Sequence, residues 1–341
     1  MALANFFDKA ALAASQILKD FNRGSFEQLL ESSPVLLAFD CSATESAEGL
    51  ATLDMSARLL GRLYPRISIK ALDAEAQNHS PSVLNLLRSI NPNVELEEEG
   101  THPAVALVIG KTSLSSVQAG IPVFYIGSDE WLVKFSPTAP VSSGSSSNPF
   151  AAGAAACLGA ANVFRAVFKD MLSNSAADGE VCLSLLDYAL NADPQNNAPS
   201  LPEDVQLSET VLVGAGAIGN GALWALQRIE GARGRLHLVD HDPVSLSNLQ
   251  RYVLTVQENV EALKVNLAAE LFKDTGIEAV PHPATWAAFL GKRQNWKLPR
   301  VAVAVDTAAA RVAIQASLPP IVINAWTQAS DLGVSRHYDF I

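Results

Sequence analysis

The chain has 341 residues, of which 49% are hydrophobic and 17% are charged. This length accommodates two domains with sizeable cores, and the composition is that of a globular protein and excludes an intrinsically disordered one. The 24 Lys and Arg residues against 35 Asp and Glu residues give a formal net charge of −11. That balance argues against a general nucleic-acid-binding protein, which needs a positive face toward phosphate, but it allows ATP, which a few local cations can hold.

The cysteine content and the terminal segments predict a cytoplasmic protein without a membrane span. Cys41, Cys157 and Cys182 lie far apart and form no C-x-x-C pair, so we expect neither a structural zinc site nor a disulfide framework and predict all three to be buried. No basic stretch precedes an apolar run at the N-terminus, so no signal peptide is predicted. The Ala- and Gly-rich run 149–164 is shorter than the about 20 apolar residues that span a bilayer, and we predict a buried helix.

Apolar patterns in the N-terminal half predict alternating strands and helices. Predicted strands cover 35–40, 67–72, 94–97, 104–109 and 123–126, and predicted helices cover 3–20, 47–64, 81–90 and 149 to about 172. The Ser- and Gly-rich stretch 142–148 is predicted to be a flexible loop.

A proline-rich stretch, 191–206, is the best candidate linker. After it the alternation restarts, with predicted strands at 209–213, 235–240, 277–281, 300–305 and 320–324 and predicted helices at 217–229, 258–273, 284–290 and 307–316. A strand-like segment follows at 333–341. We therefore predict an α/β fold made of two tandem Rossmann-like, mainly parallel sheets with helices on both faces. The predicted domains are 1–190 and 208–341, with 191–207 as the linker.

A glycine-rich turn opens the second half. Gly214, Gly216 and Gly219 form G-x-G-x-x-G between a predicted strand and a predicted helix. Glycine lets backbone amides approach a phosphate, and the helix N-terminus adds partial positive charge. Such spacing alone is weak support, but Asp240 closes the next strand, where a carboxylate can bind ribose hydroxyls.

The residues downstream distinguish a triphosphate from a dinucleotide. ATP carries two phosphates beyond the α-position, and these need cations further out. Arg251 and Lys264 are predicted to supply them, although each alone is more simply explained as a surface ion pair or a solvated helix residue. Asp306 ends another strand and is predicted to bind Mg²⁺, which takes one or two carboxylates together with phosphate oxygens; the simpler alternative is that Asp306 caps the helix that follows it. Arg311 is expected near the start of the same helix.

These motifs resemble the ThiF/MoeB superfamily, the ATP-dependent enzymes that activate ubiquitin-like and sulfur-carrier proteins. The resemblance covers Val211 to about Asn324. It rests on G-A-G-A-I-G, on V-D-H-D-P-V-S-L-S-N-L-Q-R, on Lys264 and on D-T-A-A-A-R. Two departures are visible: Ala217 stands where a further glycine is usual, and Tyr252 stands where a second Gln is common.

The resemblance implies roles for individual residues. The first Asp of the long motif binds ribose, its Asn and Arg and the later Lys engage the ATP phosphates, and the strand-end Asp handles magnesium. The implied catalytic residues are Arg251, Lys264 and Asp306. The residues that we predict to bind the nucleotide are Gly214, Gly216, Ala217, Gly219, Asp240, Asp242, Ser247, Asn248, Gln250, Arg251 and Lys264.

The resemblance also implies a reaction. The C-terminal carboxylate of a small β-grasp, ubiquitin-like protein attacks the α-phosphate of ATP, pyrophosphate leaves and an acyl-adenylate forms. Many relatives then pass the acyl group to a cysteine on a crossover loop, and none of the three cysteines stands at the matching place. We therefore expect a chain truncated before that loop, or one completed by another polypeptide, and a conjugating-type enzyme as a further partner.

The N-terminal half fits this resemblance as an inactive adenylation-like domain. Asp40-Cys-Ser-Ala-Thr replaces the glycine-rich turn after its first strand. In related enzymes the partner half lends an arginine to ATP, and Arg23, Arg62 and Arg165 are the candidates. The closest subfamily that the sequence suggests is the activating enzymes of bacterial ubiquitin-like conjugation systems, including antiphage ones.

Three other functions stay open from the sequence. An NAD(P)-dependent oxidoreductase would explain the glycines and Asp240 but would leave Arg251, Lys264 and Asp306 unused. A non-catalytic scaffold would not need the cations. A peptide-adenylating relative that uses no cysteine agrees with the missing crossover loop.

Overall fold

A computed structural model of the chain describes residues 3–96, 102–114, 120–191, 193, 199–293, 295, 298–327 and 332–338. The chain divides into two compact units, Met1–Leu201 and Pro202–Ile341. The division falls within the predicted linker 191–207, part of which lies outside the described residues.

The first unit is a seven-stranded sheet with helices. Its helices are α1 (Phe7–Ala14), α2 (Arg23–Ser32), α3 (Cys41–Thr44), α4 (Ala47–Leu63), α5 (Ala74–Gln77), α6 (Ser80–Ile90) and α7 (Pro149–Val167). Its strands are β1 (Val35–Phe39), β2 (Arg66–Ala71), β3 (Glu95–Leu96), β4 (Val105–Ile109), β5 (Val123–Asp129), β6 (Leu132–Ser136) and β7 (Val181–Ser184). The strand order is β3-β2-β1-β4-β5-β6-β7, parallel from β3 to β5 and antiparallel at β6 and β7.

The two central strands of this sheet, β1 and β4, are buried at every position. Their sequences, VLLAF and VALVI, are continuous apolar runs because both faces of a parallel sheet are covered. The antiparallel strands β6 and β7 and the helix α2 were not predicted from the sequence.

Helix α7 is the Ala- and Gly-rich helix predicted from the sequence. It has 19 residues and is long and apolar enough to cross a membrane by length and composition alone, which the shorter predicted run was not. However, half of the most apolar 18-residue stretch of this helix is buried within the structure. A Cβ added at Gly159 would lie 2.8 Å from Leu107 and 2.9 Å from Ile126, so the glycine lets this helix pack closely on β4 and β5.

The Ser-rich segment 142–148 is anchored and not the flexible loop that its composition predicts. Glu48 of α4 is fully buried, and its carboxylate accepts hydrogen bonds from the Ser128 hydroxyl at 2.5 Å and the Glu130 amide at 3.1 Å. It also accepts from the amide and the hydroxyl of Ser146. A buried carboxyl group needs such partners, and here they tie the segment to the core.

The second unit is a six-stranded sheet with helices. Its strands are β8 (Gln206–Val213), β9 (Arg233–Val239), β10 (Gly276–His282), β11 (Arg300–Val303), β12 (Val322–Thr327) and β13 (Leu332–His337), and its helices are α8 (Ala217–Leu226), α9 (Lys264–Glu270), α10 (Trp286–Lys292) and α11 (Ala308–Gln315). The strand order is β10-β9-β8-β11-β12-β13, with only β13 antiparallel. The last three residues of the predicted segment 333–341 lie outside the described residues.

Both units therefore share one topology for their parallel strands. In each, the first strand lies at the centre, and the chain runs outward on one side and then on the other. The prediction of an α/β fold with two tandem, mainly parallel sheets is confirmed. In such sheets ligands bind outside the carboxyl ends of the strands, where the strand order reverses, which is between β8 and β11 in the second unit.

Candidate nucleotide-binding site

Three strands of the second unit end at one edge of its sheet. Val213, Val239 and Val303, the last residues of β8, β9 and β11, are paired in register. The Gly214 amide donates to the Val239 carbonyl at 2.9 Å, and the Ala304 amide donates to the Val213 carbonyl at 2.8 Å. The residues that follow each strand therefore lie close together, which the sequence predicts for parallel strands.

The glycine turn requires glycine at two positions. Gly214 has φ +94°, and a Cβ there would lie 2.6 Å from the Ala304 carbonyl oxygen. A Cβ at Gly219 would overlap the Gly214 carbonyl oxygen, so glycine lets α8 start directly against the turn. Gly216 is the N-cap of α8, whose first residue is Ala217, and no side chain caps this end. The first backbone amides of α8 are therefore available to an anion.

Asn220 holds this turn, although no motif in the sequence predicts this role. The side chain is 6% exposed. Its Nδ2 donates to the carbonyls of Ala215 at 2.9 Å and Gly216 at 3.2 Å, and its Oδ1 accepts from the Leu254 amide at 3.1 Å. Asn220 thus fastens the turn to the segment that follows Arg251. The only signal in the sequence is a polar residue in an otherwise apolar helix.

Asp240 follows β9 and faces the glycine turn. Its Oδ2 accepts from the Ala215 amide at 2.8 Å and its Oδ1 from the Asp242 amide at 3.0 Å. Each carboxylate oxygen can accept a second hydrogen bond, so a ribose hydroxyl remains a possible donor. The predicted ribose role stays a prediction.

Lys264 is buried among carboxylates and is not a solvated helix residue. It is 8% exposed, and its Nζ lies 2.9 Å from Asp242 Oδ2 and 3.9 Å from Asp240 Oδ1. Burial alone would lower the pKa of Lys264, but the hydrogen bond to Asp242 and the charge of Asp240 outweigh burial and raise it. The hydrogen bond from Lys264 likewise lowers the pKa of Asp242. Lys264 is therefore a fixed positive charge.

The position of Lys264 follows from a helix that starts later than predicted. The sequence predicts a helix over 258–273, whereas α9 begins at Lys264. Pro243 and Leu263 form an antiparallel bridge, and Val244 pairs with the same segment through the carbonyl of Ala262 at 2.8 Å. This pairing competes with the helix, and it brings Lys264 beside Asp242.

Arg251 and Lys264 lie near one aromatic ring. The Arg251 guanidinium carbon is 5.6 Å and Lys264 Nζ is 5.5 Å from the centroid of the Tyr252 ring. Tyr252 is 4% exposed. Arg251 is exposed and forms no ion pair with any carboxylate that the structure describes, so the alternative of a surface salt bridge is not observed. Both cations therefore lie near the Tyr252 ring, and their roles toward phosphate stay predictions.

The polar run before Arg251 folds into a short 3-10 turn, Leu246–Asn248. Asn248 Oδ1 accepts from the Ser245 amide at 3.0 Å, and Ser247 shares a hydroxyl contact of 3.0 Å with Ser245. The oxygen of Asn248 thus shapes the turn and leaves its NH₂ group as a donor. Ser247, Asn248 and Gln250 are half-buried, and their predicted roles toward a nucleotide stay predictions.

Asp306 lies two residues beyond Ala304, at the same edge. It is exposed and makes no hydrogen bond or ion pair with another described residue. It does not cap α11: the cap is Thr307, whose side chain accepts from the Ala310 amide at 3.2 Å. Arg311 donates to the Val305 carbonyl at 2.9 Å, which fixes the residue before Asp306.

The carboxylate of Asp306 is a better candidate ligand for a magnesium ion than the carboxylates of Asp240 and Asp242. Ligand atoms of Asp240, His241 and Asp242 lie within 4.8 Å of one another, but the Lys264 ammonium lies between the two carboxylates, 2.9 Å from Asp242 and 3.9 Å from Asp240, and would repel a metal ion there. The Asp306 carboxylate has no such cation among the described residues. One free carboxylate at a phosphate site is what Mg²⁺ uses together with water and phosphate oxygens.

The first unit fills the corresponding edge of its own sheet with a carboxylate. Asp40 follows β1 and is 2% exposed. It accepts from the amides of Lys111 and Thr112, both at 2.7 Å, and from the Ser42 hydroxyl at 2.6 Å. Burial alone would raise the pKa of Asp40, but these hydrogen bonds hold it below its usual value. Backbone amides that could bind a phosphate are therefore already occupied.

The arginines proposed to reach ATP are engaged within the first unit. Arg23 pairs with Asp8 and Glu27, and Arg165 pairs with Asp178 at 2.5 Å. Arg62 is 4% exposed, and its burial lowers its pKa to about 9. The choice among them stays open.

The prediction that all three cysteines are buried is wrong. Cys157 is exposed, and Cys41 and Cys182 are partly exposed. A hydrogen bond to Asp73 raises the pKa of the Cys41 thiol, which disfavours a reactive thiolate.

Comparison with known proteins gives two family matches and one long relative. Residues 191–317 match the model of the ThiF family, and residues 38–169 match that of prokaryotic E2 family C. The uncharacterized protein y4jF of Sinorhizobium fredii (strain NBRC 101917 / NGR234) is 48% identical over 337 residues, which is 99% of this chain and 64% of that protein. The chain thus spans less than two thirds of the length of this relative.

Two solved structures with partial similarity are those of Escherichia coli MccB. One contains AMPCPP and MccA and the other contains MccA-N7isoAsn, with 20% and 19% identity. Each covers 39% of this chain and 41% of the other, with a TM-score of 0.33.

Proposed function

We propose that this chain, which contains a ThiF family domain in residues 191–317, is an ATP-dependent adenylating enzyme that activates the C-terminal carboxylate of a ubiquitin-like protein. The observation that carries most weight is the convergence at one sheet edge of an uncapped helix start, a ribose-type carboxylate and two cations on one ring. A triphosphate is the ligand that uses all of them. A dinucleotide would use only the first two.

The proposed reaction is a displacement at the α-phosphate. A carboxylate oxygen of the substrate forms a bond to the α-phosphorus, the bond to the bridging oxygen of the β-phosphate breaks, and pyrophosphate leaves with its electron pair. No general base is needed because the attacking carboxylate is already ionised. Arg251 and Lys264 are assigned to neutralise the negative charge that develops on the leaving pyrophosphate. Electrostatic stabilisation of this kind makes the largest contribution in many enzyme reactions.

The remaining residues hold the nucleotide. The amides at Gly216 and Ala217 bind phosphate, Asp240 binds ribose, and Asp242 keeps Lys264 in place. Asp306 would hold a magnesium ion, which when bound neutralises phosphate charge and orients the leaving group.

The first unit is proposed to bind no nucleotide. Asp40 already accepts the amides of Lys111 and Thr112, and a nucleotide phosphate there would meet that carboxylate. We therefore keep the proposal that residues 1–190 are an inactive adenylation-like domain. The match of residues 38–169 of this chain to prokaryotic E2 family C supports a place in a ubiquitin-like conjugation pathway. A separate conjugating-type enzyme as partner is a further part of the proposal that this match does not address. The cytoplasmic location and the role in antiviral defence belong to the same proposal.

ATP–pyrophosphate exchange tests this function. The full chain is incubated with labelled pyrophosphate, ATP, Mg²⁺ and β-grasp proteins ending in Gly-Gly. The same proteins with an amidated C-terminus serve as the control because an amide cannot be adenylated. Exchange with the free carboxylate only is expected; exchange with short peptides and with no β-grasp protein would refute the ubiquitin-like substrate in favour of a peptide-adenylating relative.

Two matched pairs of variants connect exchange to the site. Asp306→Asn and Arg251→Ala are expected to lower exchange by at least about tenfold, since each removes a charge-assisted contact of about 1.5–3 kcal/mol. Asp274→Asn and Arg233→Ala change the same charges on exposed residues at the opposite, amino-terminal edge of the strands and should leave exchange unchanged. Wild-type exchange in the first pair would refute the assigned site.

A further inference from the structure

Tyr252 is fixed in a buried turn between the glycine turn and the two cations. Its amide donates to the Asn248 carbonyl at 3.0 Å, and its own carbonyl accepts from the Thr255 amide and hydroxyl at 3.0 and 2.8 Å. A Cβ added at Gly216 would lie 3.6 Å from the Tyr252 hydroxyl oxygen. The ring therefore reaches from the start of α8 to the region of Lys264.

The ring of Tyr252 lies close to two cations. Arg251 and Lys264 lie within the about 6 Å over which an aromatic ring attracts a cation, at 5.6 and 5.5 Å from its centroid. Lys264 has carboxylate partners, but Arg251 has none among the described residues. An anion that carries charge at two positions, such as the β- and γ-phosphates of a nucleotide, can contact both cations.

We infer that Tyr252 is a positioning residue that sets the distance between the glycine turn and the two cations, and so selects a nucleoside triphosphate over a nucleoside monophosphate. This inference rests on the proposed function. The single phosphate of AMP contacts the turn alone, whereas ATP also contacts the cations that the ring positions. Loss of the ring therefore weakens ATP binding and spares AMP binding.

The test is equilibrium dialysis of Mg-ATP and of AMP against the full chain. Tyr252→Leu is expected to weaken ATP binding about tenfold, or about 1.4 kcal/mol, and to leave AMP binding within about twofold. Tyr252→Phe keeps the ring and is expected to restore ATP binding to near the wild-type value. The matched control is Phe289→Leu. Phe289 lies in α10 and is 4% exposed, with the Arg293 guanidinium carbon 5.5 Å from its ring centroid. This substitution should change neither affinity.

Each outcome decides one claim. Equal weakening of ATP and AMP in Tyr252→Leu would mean that the ring only supports the fold, and would overturn the inference while keeping the proposed function. A wild-type chain that does not bind ATP would overturn both. If Tyr252→Leu does not fold, phenylalanine analogues of increasing fluorination at position 252 reduce the attraction for cations with little change in shape. ATP affinity should then fall stepwise, and an unchanged affinity would overturn the inference.

Discussion

Substitution of Gly214 by Ala is expected to lower the free energy of unfolding by more than the same substitution at two other glycines. Gly214 has φ +94°, and an added Cβ would lie 2.6 Å from the Ala304 carbonyl oxygen. Gly120 has φ +98° with no heavy atom within 4 Å of an added Cβ, and Gly221 has neither a positive φ nor such a neighbour. The three variants therefore separate backbone strain from close contact.

The magnitudes follow from this geometry. A side chain at positive φ costs about 1–2 kcal/mol, and this should be the whole effect of Gly120→Ala. A 2.6 Å contact is shorter than real Cβ atoms make with backbone, so the backbone must shift, and overpacking of this kind costs about 1–3 kcal/mol. Gly214→Ala should therefore destabilise its unit by about 2–5 kcal/mol, or roughly 5–20 °C in melting temperature. Gly221→Ala should stabilise α8 by up to about 1 kcal/mol because alanine favours the helix.

Differential scanning calorimetry of each variant, followed by ATP binding, measures these effects. Gly214→Ala should lose ATP binding, and the other two should keep it. If Gly214→Ala were no less stable than Gly120→Ala and still bound ATP, the close approach between the turn and Ala304 would be refuted.

Two further predictions concern buried or partly buried titratable side chains. Burial lowers the pKa values of His237 and His282, so their contribution to stability is complete above the unfolded pKa of about 6.5 and is lost as the pH falls through the lower folded values. His282→Gln should therefore reduce the fall in melting temperature between pH 7 and 5. A fall as large as that of the control variant His337→Gln, at an exposed position, would contradict this. Glu48→Ala leaves several buried donors without an acceptor, at about 1–3 kcal/mol each, so chemical denaturation should show a free energy of unfolding lower by about 3–5 kcal/mol. The control is Glu45→Ala, at an exposed position, which should lower it by less than about 0.5 kcal/mol. An equally small effect of Glu48→Ala would show that the carboxylate does not anchor the Ser-rich segment.

The alternation of apolar runs was sufficient to predict the parallel part of both sheets. Strands such as β1 and β4 are apolar throughout because both faces are covered, and this signal is local. The antiparallel strands β6 and β7 were missed because they depend on pairing with β5 and with each other, which a local pattern does not encode. The start of α9 was misplaced for a similar reason: the bridge between Pro243 and Leu263 decides it.

The location of a candidate site residue was predictable where that residue follows a strand of the parallel sheet. Gly214, Asp240 and Asp306 follow neighbouring parallel strands, so their proximity follows from the order of the strands. The importance of Asn220 and Tyr252 was not predictable, because it depends on which loop each side chain contacts. Tyr252 differs from the residue common in the resembling family, and its contact with two cations is visible only in three dimensions.

The central claim is that the second unit binds a triphosphate, and competition between Mg-ATP and NAD for the full chain tests it most directly. We predict that ATP binds, that NAD does not displace it, and that Arg251→Ala or Lys264→Met weakens ATP binding by at least about tenfold, as expected for loss of a charge-assisted contact. Tight NAD binding, or ATP binding that neither substitution affects, would contradict the account.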